Sequence, residues 1–80
     1  MPKGEPTTSP SVLIKFGRGV VRARKQVGIS QEELALKCDI DRSYLGTIER
    51  GEHSTGLLHI ARIASALDMK ISELMETAKI

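Results

Sequence analysis

Arg42, Ser43, Gly46 and Thr47 recur at helical spacing within DRSYLGTIERGE, Asp41 to Glu52, while Leu45 and Ile48 point to the opposite face. A helix of this kind presents a guanidinium and hydroxyls on its first turn and one turn further. That is the chemistry of hydrogen-bonded recognition. The Arg42 guanidinium can donate two bonds to the O6 and N7 of a guanine, or it can clamp a phosphate. Ser43 and Thr47 both donate and accept, so each discriminates little alone, although the Thr47 methyl group can also meet the methyl of thymine. Tyr44 has two open readings: its hydroxyl on a phosphate, or its ring packed over the domain.

Covalent catalysis has no matching constellation. A nucleophilic cysteine needs a base and an electropositive, accessible setting, whereas Cys38 occupies an apolar slot of the pattern with no histidine near it in sequence. As the single cysteine it cannot form an internal disulfide, which fits a reducing cytoplasm. His53, His59 and Cys38 lack metal-ligand spacing, so neither a metal nor another cofactor is expected, and His59 reads as a solvated helix residue. A net charge of +2 says little about partners, but its distribution says more. Lys15, Arg18, Arg22, Arg24 and Lys25 fall within eleven residues, and no acid occurs between Glu5 and Glu32. On a helix several of these share one face, for which an ordinary solvated surface is the bland explanation.

The elements that must hold these residues follow from apolar spacing. Pro2, Pro6 and Pro10 mark residues 1–10 as a flexible tail, leaving 11–80 as one domain. Leu13, Phe16, Val20, Ala23 and Val27 predict a first helix ending at Gly28, weakened by Gly17 and Gly19 at roughly 1 kcal/mol each. Ser30 and Glu33 form a capping box for a second helix carrying Leu34, Ala35 and Cys38. The rhythm breaks at Cys38 to Ile40, and Asp41 supplies an N-cap oxygen for a third helix over about Arg42 to Arg50. Leu57, Ile60, Ala61, Ala64 and Leu67 predict a fourth helix, and Met69, Ile71, Leu74 and Met75 a short fifth. β-branched and aromatic runs are scarce, with Phe16 and Tyr44 the only aromatics, so the expected class is all-α, a compact five-helix bundle. No apolar run is long enough for a signal peptide or a membrane span. A domain this small has little use for exposed Leu58, Met75 and Ile80, which become candidates for a dimer interface.

The residues from Ser30 to Gly51, SQEELALKCDIDRSYLGTIERG, resemble the DNA-binding element of the Xre family, the helix-turn-helix proteins similar to phage Cro and its repressor partners. The resemblance rests on the small Ala35, on Leu45 and Ile48, and on IERGE at Ile48 to Glu52. FGRGVVRARKQVGISQEELA resembles the first helix and its join to the second, and LLHIARIASALDMKISELM resembles the last two, so about 60 of the 80 residues are covered. Gly17 matches the family; Gly19 is left without an account. Asp39 stands where the family usually has a turn glycine, and Lys70 where it usually has a Ser or Thr cap.

The resemblance implies a lambda-repressor-like domain, a homodimer that binds double-stranded DNA at palindromic operators and regulates transcription, with no small-molecule ligand. It places Arg42, Ser43, Tyr44 and Thr47 at the bases and Gln31, Ser30, Arg50 and His53 at the phosphates. It also pairs Arg24 with Glu49, two independent solvated charges being the alternative. Within the family the chain looks most like the controller proteins of restriction-modification systems, activators and autorepressors for which RNA polymerase is a further partner. The alternatives are a phage-type repressor, or an antitoxin or adaptor that holds a partner protein through its C-terminal helices.

Overall fold

A computed structural model describes residues 10–80 and divides them among five helices: α1 Pro10–Val27, α2 Gln31–Cys38, α3 Arg42–Glu49, α4 Leu57–Ala66 and α5 Ile71–Thr77. No strand occurs among the described residues. The expected tail at 1–10 falls outside them save for Pro10, which is the first residue of α1, a position where its missing N–H is no loss.

The turn between α2 and α3 is three residues long, and each has a local reason. Asp39 takes the left-handed conformation, φ 57 and ψ 46, as the C-cap of α2. A short polar side chain tolerates this region better than most, which is why the turn closes without glycine. The Ile40 amide then donates to the Ala35 carbonyl at 3.0 Å. Asp41 accepts from the amides of Ser43 and Tyr44 at 3.0 and 3.3 Å and starts α3. Upstream, Ser30 Oγ accepts from the Glu33 amide at 3.0 Å while Glu33 Oε1 accepts from the Ser30 amide at 2.7 Å, completing the capping box of α2. Lys70 has no acceptor in its side chain, so α5 has only half of such a box: Glu73 Oε1 accepts from the Lys70 amide at 2.8 Å.

Val20, Leu34, Leu45, Ile48, Ile63 and Leu74 are the largest fully buried side chains and come from all five helices. Each contributes roughly 1.5–3 kcal/mol relative to exposure, enough to set how the helices sit. Two stripes differ from their expected membership. Val27 is 53% exposed, because α1 ends there and the chain turns away from the core. On α4, Leu57 is 71% exposed, and the buried stripe is Ile63, Ala64 and Leu67 with Ile60 partly covered.

Gly17 and Gly19 have one explanation. A Cβ on Gly17 would lie 2.5 Å from the Ile48 and Glu49 carbonyl oxygens, and one on Gly19 2.5 Å from Ala78 Cβ. Both glycines let α1 approach closely, the first to the end of α3 and the second to the residue capping α5.

Candidate nucleic-acid interface

Because Asp41 caps α3 from outside the core, the first turn of that helix projects into solvent. Arg42 and Ser43 are exposed, Tyr44 and Thr47 half-buried, and Leu45 and Ile48 buried. Gly46 departs from its expected outward place. It is buried, and a Cβ there would lie 3.2 Å from Arg50 Nη1 and 3.7 Å from Gln31 Nε2, so the glycine leaves room for two long side chains over α3. Thr47 Oγ1 donates to the Tyr44 carbonyl at 2.6 Å, which leaves its lone pairs and methyl group for any ligand.

A chain of polar contacts runs from α1 to the start of α3. Arg24 Nε donates to Glu49 Oε2 at 2.9 Å and Arg24 Nη2 to Glu49 Oε1 at 3.1 Å, a two-pronged pair whose side chains are 13% and 5% exposed. Gln31 Nε2 adds a third bond to the carboxylate, donating to Oε1 at 2.8 Å. With its amide nitrogen so engaged, Gln31 turns its oxygen outward, where it accepts from Arg42 Nη1 at 3.4 Å. Three donors around one nearly buried carboxylate offset its desolvation. The same bonds orient Gln31 and, through a longer contact, Arg42.

Around α3 the remaining candidates divide. The Tyr44 ring packs against the core and lies edge-on between His53 and His59, with centroids 5.5 and 5.3 Å apart at 64° and 63°. His59 is therefore half-buried against Tyr44 rather than solvated. His53 and Arg50 are exposed beyond the end of α3. Arg50 is engaged by Glu52, Nε to Oε2 at 3.0 Å and Nη2 to Oε1 at 3.2 Å, and this contact holds the Glu52 carboxyl below its ordinary range. At the start of α2 the bond from the Ser30 amide likewise holds the Glu33 carboxyl below its ordinary range. The hydroxyl hydrogen of Ser30 stays free to donate, since its oxygen serves as acceptor in the cap.

Cys38 is buried, with its thiol 3.8 Å from the Ala35 carbonyl oxygen, and desolvation pushes its pKa up, the reverse of what a nucleophile requires. No group of three or more His, Cys, Asp or Glu side chains placed to hold a metal occurs among the described residues. Leu58 and Ile80 are 64% and 56% exposed, while Met75 is half-buried against the core. Met75 and Ile80 line an apolar groove of about 360 Å³ together with Val12, Leu13, Phe16 and Ile60. Leu57 is exposed too, although helical periodicity assigns it to the core.

A short helix bearing Arg42 and Ser43 on its free first turn, set against a capped partner helix by a three-residue turn, is the geometry of a helix-turn-helix. The helix-turn-helix family profile matches residues 20–74, and the chain belongs to that family, in its Xre-type branch. Among its relatives, the Control protein C.MunI of Mycoplasma sp is 34% identical over 64 residues, covering 79% of this chain and 86% of that protein. The Control protein C.BamHI of Bacillus amyloliquefaciens is 34% identical over 67 residues, covering 82% and 83%. The crystal structure of the restriction-modification controller protein C.AhdI from Aeromonas hydrophila superposes with a TM-score of 0.78 at 42% identity, covering 80% of this chain and 97% of that one.

Proposed function

We propose that this chain is a sequence-specific, homodimeric DNA-binding regulator that serves as the controller protein of a restriction-modification system, acting on palindromic operators as activator and autorepressor. That the chain is a DNA-binding transcription regulator follows from its family. The observation carrying the finer reading is the exposed Arg42 at the start of α3 lying against the half-buried Gln31 at the start of α2, in a chain 42% identical to a controller protein along almost all of that protein's length. Arg42, with Ser43, Thr47 and the edge of Tyr44, would read bases. Gln31, Ser30, Arg50 and His53 would meet phosphates, Gln31 through the second hydrogen of the amide nitrogen that already donates to Glu49, and Arg50 by exchanging Glu52 for a backbone oxygen.

Residues 11–80 would form the functional unit, with Leu58, Met75, Ile80 and the groove beside them closing the dimer. Activation would add RNA polymerase as a partner. No helix among the described residues is long and apolar enough to cross a membrane.

Selection from a random duplex library tests this reading. A twofold dimer places two recognition helices in successive major grooves, so the enriched site should be a pseudo-palindrome with half-sites about 10 bp apart, centre to centre. Sedimentation of the free protein should give a dimer at micromolar concentration. A monomer that enriches no sequence, or that purifies in fixed ratio with another protein, would replace the regulator with an adaptor.

A further inference from the structure

We infer that the outer face of α1 is a second DNA contact, a basic ridge that takes the phosphate backbone of the duplex beyond the base-reading half-site. The inference rests on the DNA-binding reading above and extends it. Lys15, Arg18, Arg22 and Lys25 follow one another at intervals of three, four and three residues, which sets them along one side of α1. All four are exposed, on the side away from the buried Phe16, Val20 and Ala23. At the rise of an α-helix the ridge is about 15 Å long.

Ordinary structural duties do not account for it. Arg22 donates to the Thr77 carbonyl at the end of α5 and keeps its charge at the surface. Lys15, Arg18 and Lys25 make no hydrogen bond or ion pair among the described residues, where the two ion pairs belong to Arg24 and Arg50. Like charges three and four residues apart on a helix repel one another, so the row costs stability unless something anionic covers it. The other eight Lys and Arg face ten Asp and Glu, so the ridge is the source of the molecule's net positive charge.

Its position favours a duplex over an acidic protein. The last turn of α1, which carries Lys25, is closed by the Gly28 amide on the Arg24 carbonyl at 2.9 Å and by Arg24 Nη1 on the Ile29 carbonyl at 3.2 Å. Ser30 and Gln31, the proposed phosphate anchor, come next in the chain. The ridge thus begins beside that anchor and leads away from it. Duplex DNA carries one negative charge per roughly 1.7 Å of axis, so a stretch of about 15 Å offers a phosphate to every cation on the ridge. To reach it, the DNA outside the half-site must curve toward the protein.

The test uses a duplex selected by the wild-type protein from a random library, either trimmed to its footprint or extended by about 15 bp on each side, roughly one and a half helical turns. Wild-type protein should bind the extended form more tightly, and its plot of log affinity against log salt should steepen by about 2–3 per protomer, near 0.9 for each added phosphate contact. The variant carrying Lys15→Gln, Arg18→Gln and Lys25→Gln should lose most of the gain from extension, match the wild type on the trimmed duplex to within about twofold, and melt no lower than the wild type, since three mutually repelling charges are removed. Equal losses on the two duplexes, or a wild-type protein indifferent to extension, would overturn the ridge while leaving the half-site reading intact. Failure of the selection to enrich any duplex would overturn both.

Discussion

Replacing Glu49 with alanine should destabilise this protein far more than its place at the end of a short surface helix suggests. The carboxylate accepts from Arg24 Nε, Arg24 Nη2 and Gln31 Nε2 at 2.9, 3.1 and 2.8 Å, and its side chain is only 5% exposed. Without it the Arg24 guanidinium, 13% exposed, keeps only the Ile29 carbonyl at 3.2 Å and has no counter-charge. Breaking a buried pair by removing one partner costs about 3–5 kcal/mol, and the residual exposure of Arg24 puts this one near 3. A chain of 80 residues has roughly 4–12 kcal/mol of stability in all. With about 4–8 °C of melting temperature per kcal/mol in a domain this size, Glu49→Ala should melt some 12–24 °C lower by calorimetry.

Two further variants identify the cause. Glu52→Ala breaks the solvated pair with Arg50 and should barely move the transition. Arg24→Ala together with Glu49→Ala should be less damaging than the sum of the single changes, because each alone strands a charge. If Glu49→Ala melts no lower than Glu52→Ala, the pair is not a structural tie between α1 and α3, and the reasoning from burial fails.

On selected DNA, Arg42→Ala should cost on the order of 1–3 kcal/mol at the cognate site and relax preference at one base position per half-site, whereas Gln31→Ala should weaken cognate and single-base variant sites alike. Titration of both proteins against such a panel decides; a uniform loss with Arg42→Ala would make it a backbone clamp and leave reading to Ser43, Tyr44 and Thr47. Gly19→Val should destabilise by about 1–3 kcal/mol through collision with Ala78, measured by denaturant unfolding, and an unchanged midpoint would show that α1 can shift. The Glu33 carboxyl is lowered from 4.5 by its bonds to Ser30, so its contribution is present above that value and lost as the pH falls through the lower folded one. In Glu33→Gln the acid limb of a stability-against-pH curve should flatten, and an unaltered limb would remove the capping box from the account.

The local structure around α3 is legible in the sequence because it is made by neighbours. Ser30 with Glu33, and Asp41 with the amides of Ser43 and Tyr44, are contacts across two or three residues, so residue type and spacing suffice to place both helix starts. Asp39 likewise carries its left-handed tolerance wherever it stands. What needed the tertiary structure is what joins distant segments. Gly19 makes sense only once Ala78, far along the chain, lies against it. Leu57 and Ile63 share a helix with the same apolar character, and only the direction from which α2 and α5 pack decides that the first is exposed and the second buried. The resemblance assigns Gln31 to a phosphate, but only the packed structure shows that its amide nitrogen also donates to Glu49 and that its oxygen accepts from Arg42. Periodicity assigns a side chain to a face of its own helix; which atoms meet across helices depends on how those faces are packed, and the order of hydrogen bonds from Arg24 to Arg42 exists only in that packing.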